Sequence, residues 1–270
     1  MSGVLSDLWR VIVLGIVEGV TEFLPISSTG HLIVVADFIG FQGNLGGTFE
    51  IFIQIGAILA VVWYYRRDLW NQARALPGDR PVQRFWLNIF VAFVPAAVVG
   101  FLLHDWIKEA LFSPLVVAIS LAVGGIVLIL VERHDHSEGI RDLYQVSLPQ
   151  ALGIGVAQVV ALIPGTSRSG ASIVGGLLAG LDRRTATAFS FYLAIPTLGG
   201  ATVYDLLKNL DQVQPQDALN LLVGTVVSFV VALFTIGWLL RYVSNHDFKP
   251  FGVYRIVAGL VVLAWWLLQG

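Results

Sequence analysis

Long apolar runs separated by short polar segments dominate the chain. A helix must contribute about 20 apolar residues to cross a hydrocarbon core of about 30 Å. Six runs meet this length, and the pattern therefore predicts six transmembrane helices, over residues 48–65, 85–103, 113–131, 186–207, 218–240 and 250–268.

Two further apolar regions, residues 8–41 and 148–181, are long but interrupted. The interruptions read L-P-I-S-S-T-G-H over residues 24–31 and P-G-T-S-R-S-G over residues 164–170. Irregular backbone at membrane depth is tolerated only where it is buried in protein or lines a wet cavity. The sequence thus predicts an all-α polytopic membrane protein, one integral membrane domain over residues 1–270, with two re-entrant helix hairpins whose tips carry function.

The two interrupted regions align with each other at a constant offset of 140 residues. Gly15 aligns with Gly155, Ser27 with Ser167 and Gly30 with Gly170. Three predicted spans lie between the hairpins, so the second half enters the membrane from the opposite side. We therefore expect an inverted-topology repeat, over residues 8–132 and 148–268, whose tips meet near the midplane. The alternative is a chance alignment of apolar sequence.

Composition and charge narrow the class of protein. Hydrophobic residues make up 56% of the chain and charged residues 13%, against about 25% charged residues in soluble domains. The absence of cysteine excludes disulfides, thiolate catalysis and cysteine-based metal sites. A net charge of −2 argues against a nucleic-acid partner, because proteins that bind phosphate backbones concentrate positive charge.

Basic residues are distributed unequally between the two sets of predicted loops. One set holds Arg66, Arg67, Arg74, Arg80, Arg84, Arg133, Arg141, Arg183, Arg184, Arg241, Lys249 and Arg255, and the other holds Arg10, Lys108 and Lys208. Cytoplasmic loops carry the excess of Lys and Arg. The distribution predicts that the first set is cytoplasmic and that both termini lie outside.

Ionisable residues inside apolar runs are expensive, and so they are functional candidates. Glu18 and Glu22 are four residues apart and share one helix face. Two carboxylates persist together if one is protonated or if a cation lies between them, and Mg²⁺ and Ca²⁺ prefer oxygen ligands. The alternative is a pair that reaches the membrane surface from a helix end.

The two interruptions supply groups that bind anions. The first offers Ser27, Ser28, Thr29, Gly30 and His31, and the second offers Ser167, Arg168, Ser169 and Gly170. Unpaired N–H groups at helix N-termini favour negative charge, and arginine binds phosphate through two donors. Together with the carboxylates, this set suits a phosphate with a bridging metal.

Some of these residues have simpler interpretations. His31 could be a structurally satisfied histidine, and Arg168 could cap the carbonyls of the facing tip. Glu50 and Gln54, one helical turn apart, could support the site or serve packing.

The G-T-S-R-S segment is not a nucleophile elbow, and no Walker A motif is present. A likeness to acid-phosphatase-type lipid phosphatases is weak, because no histidine follows Arg168 until His246.

The residues at both interruptions resemble the undecaprenyl-diphosphate phosphatase (bacitracin-resistance) family of bacterial inner membranes. The resemblance rests on E-G-V-T-E-F-L-P-I-S-S-T-G-H from residue 18 and P-G-T-S-R-S-G-A-S from residue 164, and it covers the whole chain. It implies a metal-dependent hydrolase that converts the C55 isoprenyl diphosphate into the monophosphate carrier for cell-wall synthesis. It also implies the six spans and two hairpins predicted above, and often a homodimer.

The resemblance implies roles for individual residues. Glu18 and Glu22 match the acidic motif that binds metal or transfers protons. Ser27 matches the nucleophile or phosphate ligand, and His31 matches the acid or base. Arg168 matches the phosphate-binding arginine, and Ser172 stands where relatives can have Thr, which keeps the hydroxyl.

Two mechanisms stay open at this point. Ser27 forms a phospho-enzyme with Glu22 or His31 as base, or an activated water attacks while Ser27 orients the phosphate. The rival function is a secondary transporter or lipid flippase, because inverted repeats with broken helices are typical of transporters. A purely structural scaffold would not explain charges inside the apolar regions.

Overall fold

The fold is described by a computed structural model over residues 2–41, 48–111, 113–209 and 218–269. Regular secondary structure within these ranges is entirely helical, as the sequence predicts. The helices are α1 (Ser2–Thr21), α2 (Ser28–Phe38), α3 (Thr48–Tyr64), α4 (Arg66–Ala75), α5 (Arg80–Leu102), α6 (His104–Leu111), α7 (Pro114–Val131), α8 (Leu148–Val159), α9 (Arg168–Leu178), α10 (Arg183–Asn209), α11 (Ala218–Tyr242) and α12 (Lys249–Gln269).

Five helices, α5, α7, α10, α11 and α12, are long and apolar enough to cross a membrane. Helices α3 and α4 meet at a bend of 65° and make a sixth candidate if the pair counts as one span. The break falls at Tyr65, and α4 after it begins with Arg66 and Arg67 and is polar along most of its length. The coarse prediction of about six membrane-spanning helices is therefore confirmed.

The spanning helices expose apolar side chains, as helices facing lipid do. Phe234 on α11 is 73% exposed and Leu260 on α12 is 57% exposed. Helix α10 is the most enclosed span, with 56% of its apolar window buried against 28–33% for the other four. Helix α10 thus forms the centre of the bundle and, as shown below, one wall of the candidate site.

Both interrupted regions form a helix, a short break and a second helix. Helix α8 continues as one 3₁₀ turn, Val160–Leu162. The breaks then cover residues 22–27 and 163–167, and Ser28 and Arg168 each begin the next helix. The predicted interruptions extend too far, because Ser28 to His31 and Arg168 to Gly170 belong to the first turns of α2 and α9. These turns can be helical because Ser27 and Ser167 cap them, through bonds to the N–H groups of Gly30 and Gly170.

Each interrupted region packs against the other half of the chain. Helix α1 lies against α11, whereas α8 lies against α5. Glycines permit the close approach: a Cβ at Gly15 would lie 3.0 Å from the Gly224 oxygen, and one at Gly155 would lie 2.5 Å from the Ala92 oxygen. The two halves consequently form one interlocked bundle.

A buried ion pair ties three helix ends together on one side of this bundle. Arg183, at the start of α10, donates from Nε at 3.0 Å and from Nη2 at 2.6 Å to Glu132, just after α7. The backbone N–H of Phe248, just before α12, donates to Glu132 Oε1 at 3.0 Å. These contacts place the end of α7 and the starts of α10 and α12 on one side, as the loop assignment requires.

Arg255 is an exception to that loop assignment. It lies within α12 and is only 2% exposed. Its placement among the basic loop residues is wrong, because backbone carbonyls inside the bundle satisfy its guanidinium.

Candidate functional site

The two helix breaks contact each other directly. Arg168 Nη2, at the start of α9 just after the second break, donates to Glu22 Oε1, in the first break, at 3.1 Å. Ser169 Oγ donates to the carbonyl oxygen of Leu24 at 2.8 Å. The expected meeting of the two tips is therefore present as an ion pair and a hydrogen bond.

Two serines occupy equivalent, strained positions at the ends of the breaks. Ser27 has a φ of 74° and Ser167 a φ of 75°, although neither is glycine. Ser27 Oγ accepts from the Gly30 N–H at 3.5 Å, and Ser167 Oγ accepts from the Gly170 N–H at 3.1 Å. Such backbone strain costs about 1–3 kcal/mol per residue and clusters at functional sites. These two turns carry the polar side chains described next.

Glu22 is the acidic centre of the contact between the tips. Its Oε2 accepts a hydrogen bond of 2.5 Å from Ser28 Oγ, while Oε1 accepts from Arg168. The carboxylate is buried, and a buried charge is tolerated when it is paired and hydrogen-bonded in this way. The hydroxyl that Glu22 contacts is that of Ser28 and not that of Ser27, which the resemblance matches to the nucleophile or the phosphate ligand.

Arg168 is held on its other side by α10. Its Nη1 donates to the Ser190 carbonyl oxygen at 3.0 Å, and the Ser190 and Ser172 hydroxyl oxygens lie 2.7 Å apart. Arg168 Nε is buried and donates to no described atom. Ser190 is absent from the sequence candidates, although the offset of 140 residues aligns it with Glu50.

A cavity of about 220 Å³ lies where the tips meet α3, α5 and α10. Six of the predicted residues line it: Glu22, Ser27, Ser28, Thr29, Ser167 and Arg168. Gln54, predicted only as a supporting group, also lines it, together with Gln158 and Thr197, which the sequence analysis does not select as site residues. Gln158 Nε2 lies 3.4 Å from Thr197 Oγ1, and Gln158 Oε1 has no partner among the described residues.

Four other predicted ligands, Gly30, Ser169, Gly170 and Ser172, do not line this cavity. The two glycines supply the N–H groups that bond the serine caps. The two serines bond neighbouring turns, since Ser172 Oγ donates to the Arg168 carbonyl oxygen at 3.0 Å. These residues shape the tips around the cavity.

His31 lies beside the cavity and does not line it. Its Nδ1 is 2.7 Å from the Ser27 carbonyl oxygen and its Nε2 is 2.6 Å from the hydroxyl of Tyr254 on α12. The His31 and Tyr254 rings also stack, with centroids 5.5 Å apart. Both ring nitrogens are thus engaged, and an acid or base role for His31 stays a prediction.

Glu18 lies one turn before Glu22 on α1 and is 2% exposed. Its Oε1 has no hydrogen-bond partner among the described residues. A buried carboxylate oxygen without a partner is costly and calls for an explanation. Of the two carboxylates, Glu22 lines the cavity and Glu18 does not.

The chain is similar to known proteins over nearly its whole length. The family described as bacitracin resistance protein BacA matches residues 11–261. The chain is 48% identical to undecaprenyl-diphosphatase 1 of Stutzerimonas stutzeri over 265 residues, which cover 97% of this chain and 96% of that protein. It is 51% identical to the undecaprenyl-diphosphatase of Methylobacillus flagellatus over 264 residues, covering 96% and 98% of the two chains. This chain belongs to the bacitracin resistance protein BacA family.

Membership of the BacA family raises the question of whether these residues fit the expected divalent cation. Among the described residues, no group of three or more His, Asp or Glu side chains is placed to hold a metal ion. Mg²⁺ is, however, commonly bound by one or two carboxylates together with substrate phosphates and water. The unpaired Oε1 of Glu18 and the adjacent Glu22 fit that kind of site.

Proposed function

We propose that this protein hydrolyses undecaprenyl diphosphate to undecaprenyl phosphate and inorganic phosphate. This activity recycles the lipid carrier for cell-wall synthesis and confers resistance to bacitracin. The observation that carries the proposal is the cavity where Glu22, Ser28 and Arg168 converge from the two breaks. The printed activity of relatives that are 48–51% identical over nearly the full chain supports it.

The diphosphate binds at the second break. Arg168 offers the buried Nε that no described atom accepts from, and an oxygen of the diphosphate satisfies this donor. Hydroxyls of Ser27 and Thr29 add further donors on the facing wall. A cavity of about 220 Å³ has room for a headgroup, and the prenyl chain stays among the apolar helices and lipid.

Glu22 activates the attacking group. In the first branch, the Ser28 hydroxyl passes its proton to Glu22, its oxygen bonds to the terminal phosphorus, and the anhydride P–O bond breaks to release undecaprenyl phosphate. Water then hydrolyses the phosphoserine. In the second branch, Glu22 deprotonates a water that attacks the same phosphorus, and the serines orient the phosphate.

The two branches differ in a covalent intermediate. Rapid quenching followed by peptide mass spectrometry places phosphate on Ser28 in the first branch. A phosphopeptide carrying Ser27 instead would identify Ser27 as the nucleophile, which is one of the two roles that the resemblance implies for it. Both branches place one solvent oxygen in the released phosphate, so the trapped intermediate separates them: absence of any phosphoserine at every quench time within a single turnover selects the water branch.

Glu18 and Glu22 would hold the divalent cation, Mg²⁺ or Ca²⁺, in this proposal. A bound cation would supply positive charge that offsets the charge developing on the phosphate oxygens. Arg168, which is paired with Glu22, supplies a fixed positive charge where the two tips meet.

The finer architecture is proposed to be an inverted-topology repeat with two re-entrant hairpins. Helices α2 and α9 each have 11 residues and begin 140 residues apart, and their capping serines share a φ near 75°. The packing of α1 on α11 is matched by that of α8 on α5. These correspondences support residues 8–132 and 148–268 as the two repeats.

The protein is proposed to lie in the bacterial inner membrane with both termini outside, and a homodimer stays a prediction. The basic helix ends, with Arg255 removed from the count, support this orientation.

The rival function of lipid transport would use Arg168 and the serine turns. It gives no use to the contact between Glu22 and the Ser28 hydroxyl.

The experiment measures phosphate release from C55 and C15 isoprenyl diphosphates by detergent-purified protein, with and without EDTA. The variants Glu22→Gln and Arg168→Ala serve as site variants. Arg241→Ala serves as the control, because Arg241 is exposed and bonds only within its own helix among the described contacts. We expect release that EDTA and both site variants abolish and that the control retains. No release by the wild type with either lipid and any divalent ion would move the proposal to transport.

A further inference from the structure

Arg255 joins the two helix breaks from behind. Its Nη1 donates to the carbonyl oxygen of Pro25, in the first break, at 3.1 Å. Its Nη2 donates to the carbonyl oxygens of Gly165 at 3.1 Å and Thr166 at 2.8 Å, both in the second break. One guanidinium thus bonds the backbone of both tips.

The same guanidinium is anchored to α7. Nε donates to the Leu121 carbonyl oxygen at 3.3 Å, and Nη2 also lies 3.2 Å from the Ser120 carbonyl oxygen. Two glycines make the room: a Cβ at Gly124 would overlap Nη2, and a Cβ at Gly170 would lie 3.0 Å from Nη1. The position of the guanidinium is therefore fixed by packing as well as by hydrogen bonds.

No described carboxylate pairs with Arg255. Burying an unpaired cation is expensive unless hydrogen bonds replace its hydration. Here carbonyl oxygens from three separate segments do so. Packing of α12 on α7 would need only the bonds to Ser120 and Leu121, and the three bonds to the tips go beyond that need.

Arg255 does not line the cavity where Glu22, Ser28 and Arg168 converge, and instead lines a separate, mainly apolar cavity of about 360 Å³ beside α7. Its link to the reacting groups is therefore its hydrogen bonds to the tips. The groups it holds are close in sequence to residues that line the first of these cavities: Pro25 precedes Ser27 by two residues, and Thr166 precedes Arg168 by two. A shift of one break relative to the other would separate Glu22 and Ser28 from Arg168.

We propose that Arg255 is a positioning residue for the hydrolysis, because its guanidinium fixes the two breaks in the relative placement that brings Glu22 and Ser28 to Arg168. The proposal rests on the proposed phosphatase function and adds a residue that does not contact the substrate.

The first test compares Arg255→Lys and Arg255→Met with the wild type in phosphate release from C55 isoprenyl diphosphate, counted per folded protein. A misplacement of about 1 Å costs about 100-fold in rate. We expect kcat to fall about 100-fold for Met and less for Lys, which keeps the charge but has fewer donors, with little change in KM. Folded Arg255→Met with the kcat of the wild type would overturn the proposal.

A second pair of variants displaces the guanidinium without removing it. Gly124→Ala places a methyl group against Nη2, whereas Gly199→Ala, in α10, meets no atom within 4 Å. We expect Gly124→Ala to lower kcat and Gly199→Ala to leave it unchanged. This pair keeps the proposal testable if Arg255→Met does not fold.

A double-mutant cycle separates positioning from general destabilisation. Ser169→Ala removes a bond that crosses the two breaks. The kcat losses of Arg255→Lys and Ser169→Ala should be non-additive, because both loosen the same contact. Arg183→Met is the matched control, since Arg183 is paired with Glu132 away from the breaks. It should lower the unfolding temperature and leave kcat per folded protein unchanged.

The last measurement does not depend on activity. The chain has no cysteine, so spin labels at Thr29→Cys and Pro164→Cys report only the distance between the breaks. We expect a narrow distance distribution that broadens in Arg255→Met and stays narrow in Arg183→Met. Equal widths would overturn the positioning role even if the wild type hydrolyses the lipid. A wild type that does not hydrolyse it would overturn the proposed function while the distances still test the contact.

Discussion

Ser27 and Ser167 show how single residues set up the meeting of the breaks. Each combines a positive φ with a side chain that caps the following helix. Glycine would satisfy such a backbone with less strain but would lose the capping oxygen. By these magnitudes the strain costs more than the cap contributes to stability, and strain of this kind clusters at functional sites.

Replacing Ser27 separates the strain from the cap. Ser27→Gly removes strain of about 1–3 kcal/mol and loses a few tenths of a kcal/mol of capping, so it should unfold at or above the temperature of the wild type. Ser27→Ala keeps the strain, loses the cap and should be destabilised by about 1 kcal/mol. Thermal unfolding in detergent measures both.

The matched control is Ser113, which caps α7 with an ordinary φ of −136°. There Ser113→Gly brings no relief of strain and should not exceed the wild type in stability. Equal behaviour of the glycine variants at the two positions would show that Ser27 is not strained.

Glu18 offers a second prediction at this scale. Because Glu18 Oε1 has no described partner, Glu18→Gln removes a buried charge and should leave the free energy of unfolding unchanged or raise it by up to about 2 kcal/mol. If Glu18 holds the cation, the same variant should lose EDTA-sensitive phosphate release. The two measurements are thermal unfolding without metal and hydrolysis with Mg²⁺.

The control for Glu18 is Glu132, a buried carboxylate whose oxygens are fully used by Arg183 and Phe248. Glu132→Gln should destabilise by about 3–5 kcal/mol, because it leaves Arg183 without its partner. A comparable loss for Glu18→Gln would mean that Glu18 serves the fold rather than a cation.

The residues predicted from sequence are those whose chemistry contrasts with their surroundings. Glu22 and Arg168 stand out because charges are rare in apolar runs, and the structure brings them together. Ser190 and Thr197 do not stand out, because hydroxyls are common in helices. Arg255 was misplaced because it is only six residues from the start of α12, so sequence alone could not distinguish a buried arginine from one in a loop.

At the scale of elements, hydrophobic runs located the helices but not every boundary. Helix α5 starts at Arg80, before the predicted residue 85, because Asp79 caps it and accepts from the Val82 N–H. The pattern of apolar runs predicts loops where the structure has α4 and α6, because these two short helices contain many polar residues. Local caps and amphipathic turns are weak signals beside a long apolar run.

Glycine contacts between elements lead to a prediction about the interlocked bundle. Gly155→Ala would place a methyl group 2.5 Å from the Ala92 oxygen, so α8 would have to move away from α5. Overpacking of this kind costs about 1–3 kcal/mol. Gly153→Ala, on the same helix, meets no atom within 4 Å and should be stabilised by about 0.5–1 kcal/mol.

Unfolding in detergent measures these two variants side by side. Opposite signs would support the tight crossing of α8 and α5 on which the second break rests. A stabilised Gly155→Ala would show that the two helices are further apart than described.

At the scale of the whole molecule, the ion pair of Glu132 with Arg183 groups three helix ends on one side, and the proposed orientation puts that side in the cytoplasm. This orientation is a prediction from sequence, because loop charge is independent of packing. Which side the cavity opens to depends on packing, and the charge distribution alone does not determine it.

Cysteine labelling in intact cells tests the orientation, since the chain contains no cysteine of its own. Glu109 is exposed on α6, just before α7, and Ser137 is exposed in the loop just after α7. If α7 crosses the membrane, these two positions lie on opposite sides of it. A membrane-impermeant maleimide should label Glu109→Cys in intact inner membranes and Ser137→Cys only after permeabilisation. The reverse pattern would invert the topology, and it would put the first break at the cytoplasmic entrance. Labelling of both positions without permeabilisation would mean that α7 does not cross the bilayer, which would contradict the bundle itself.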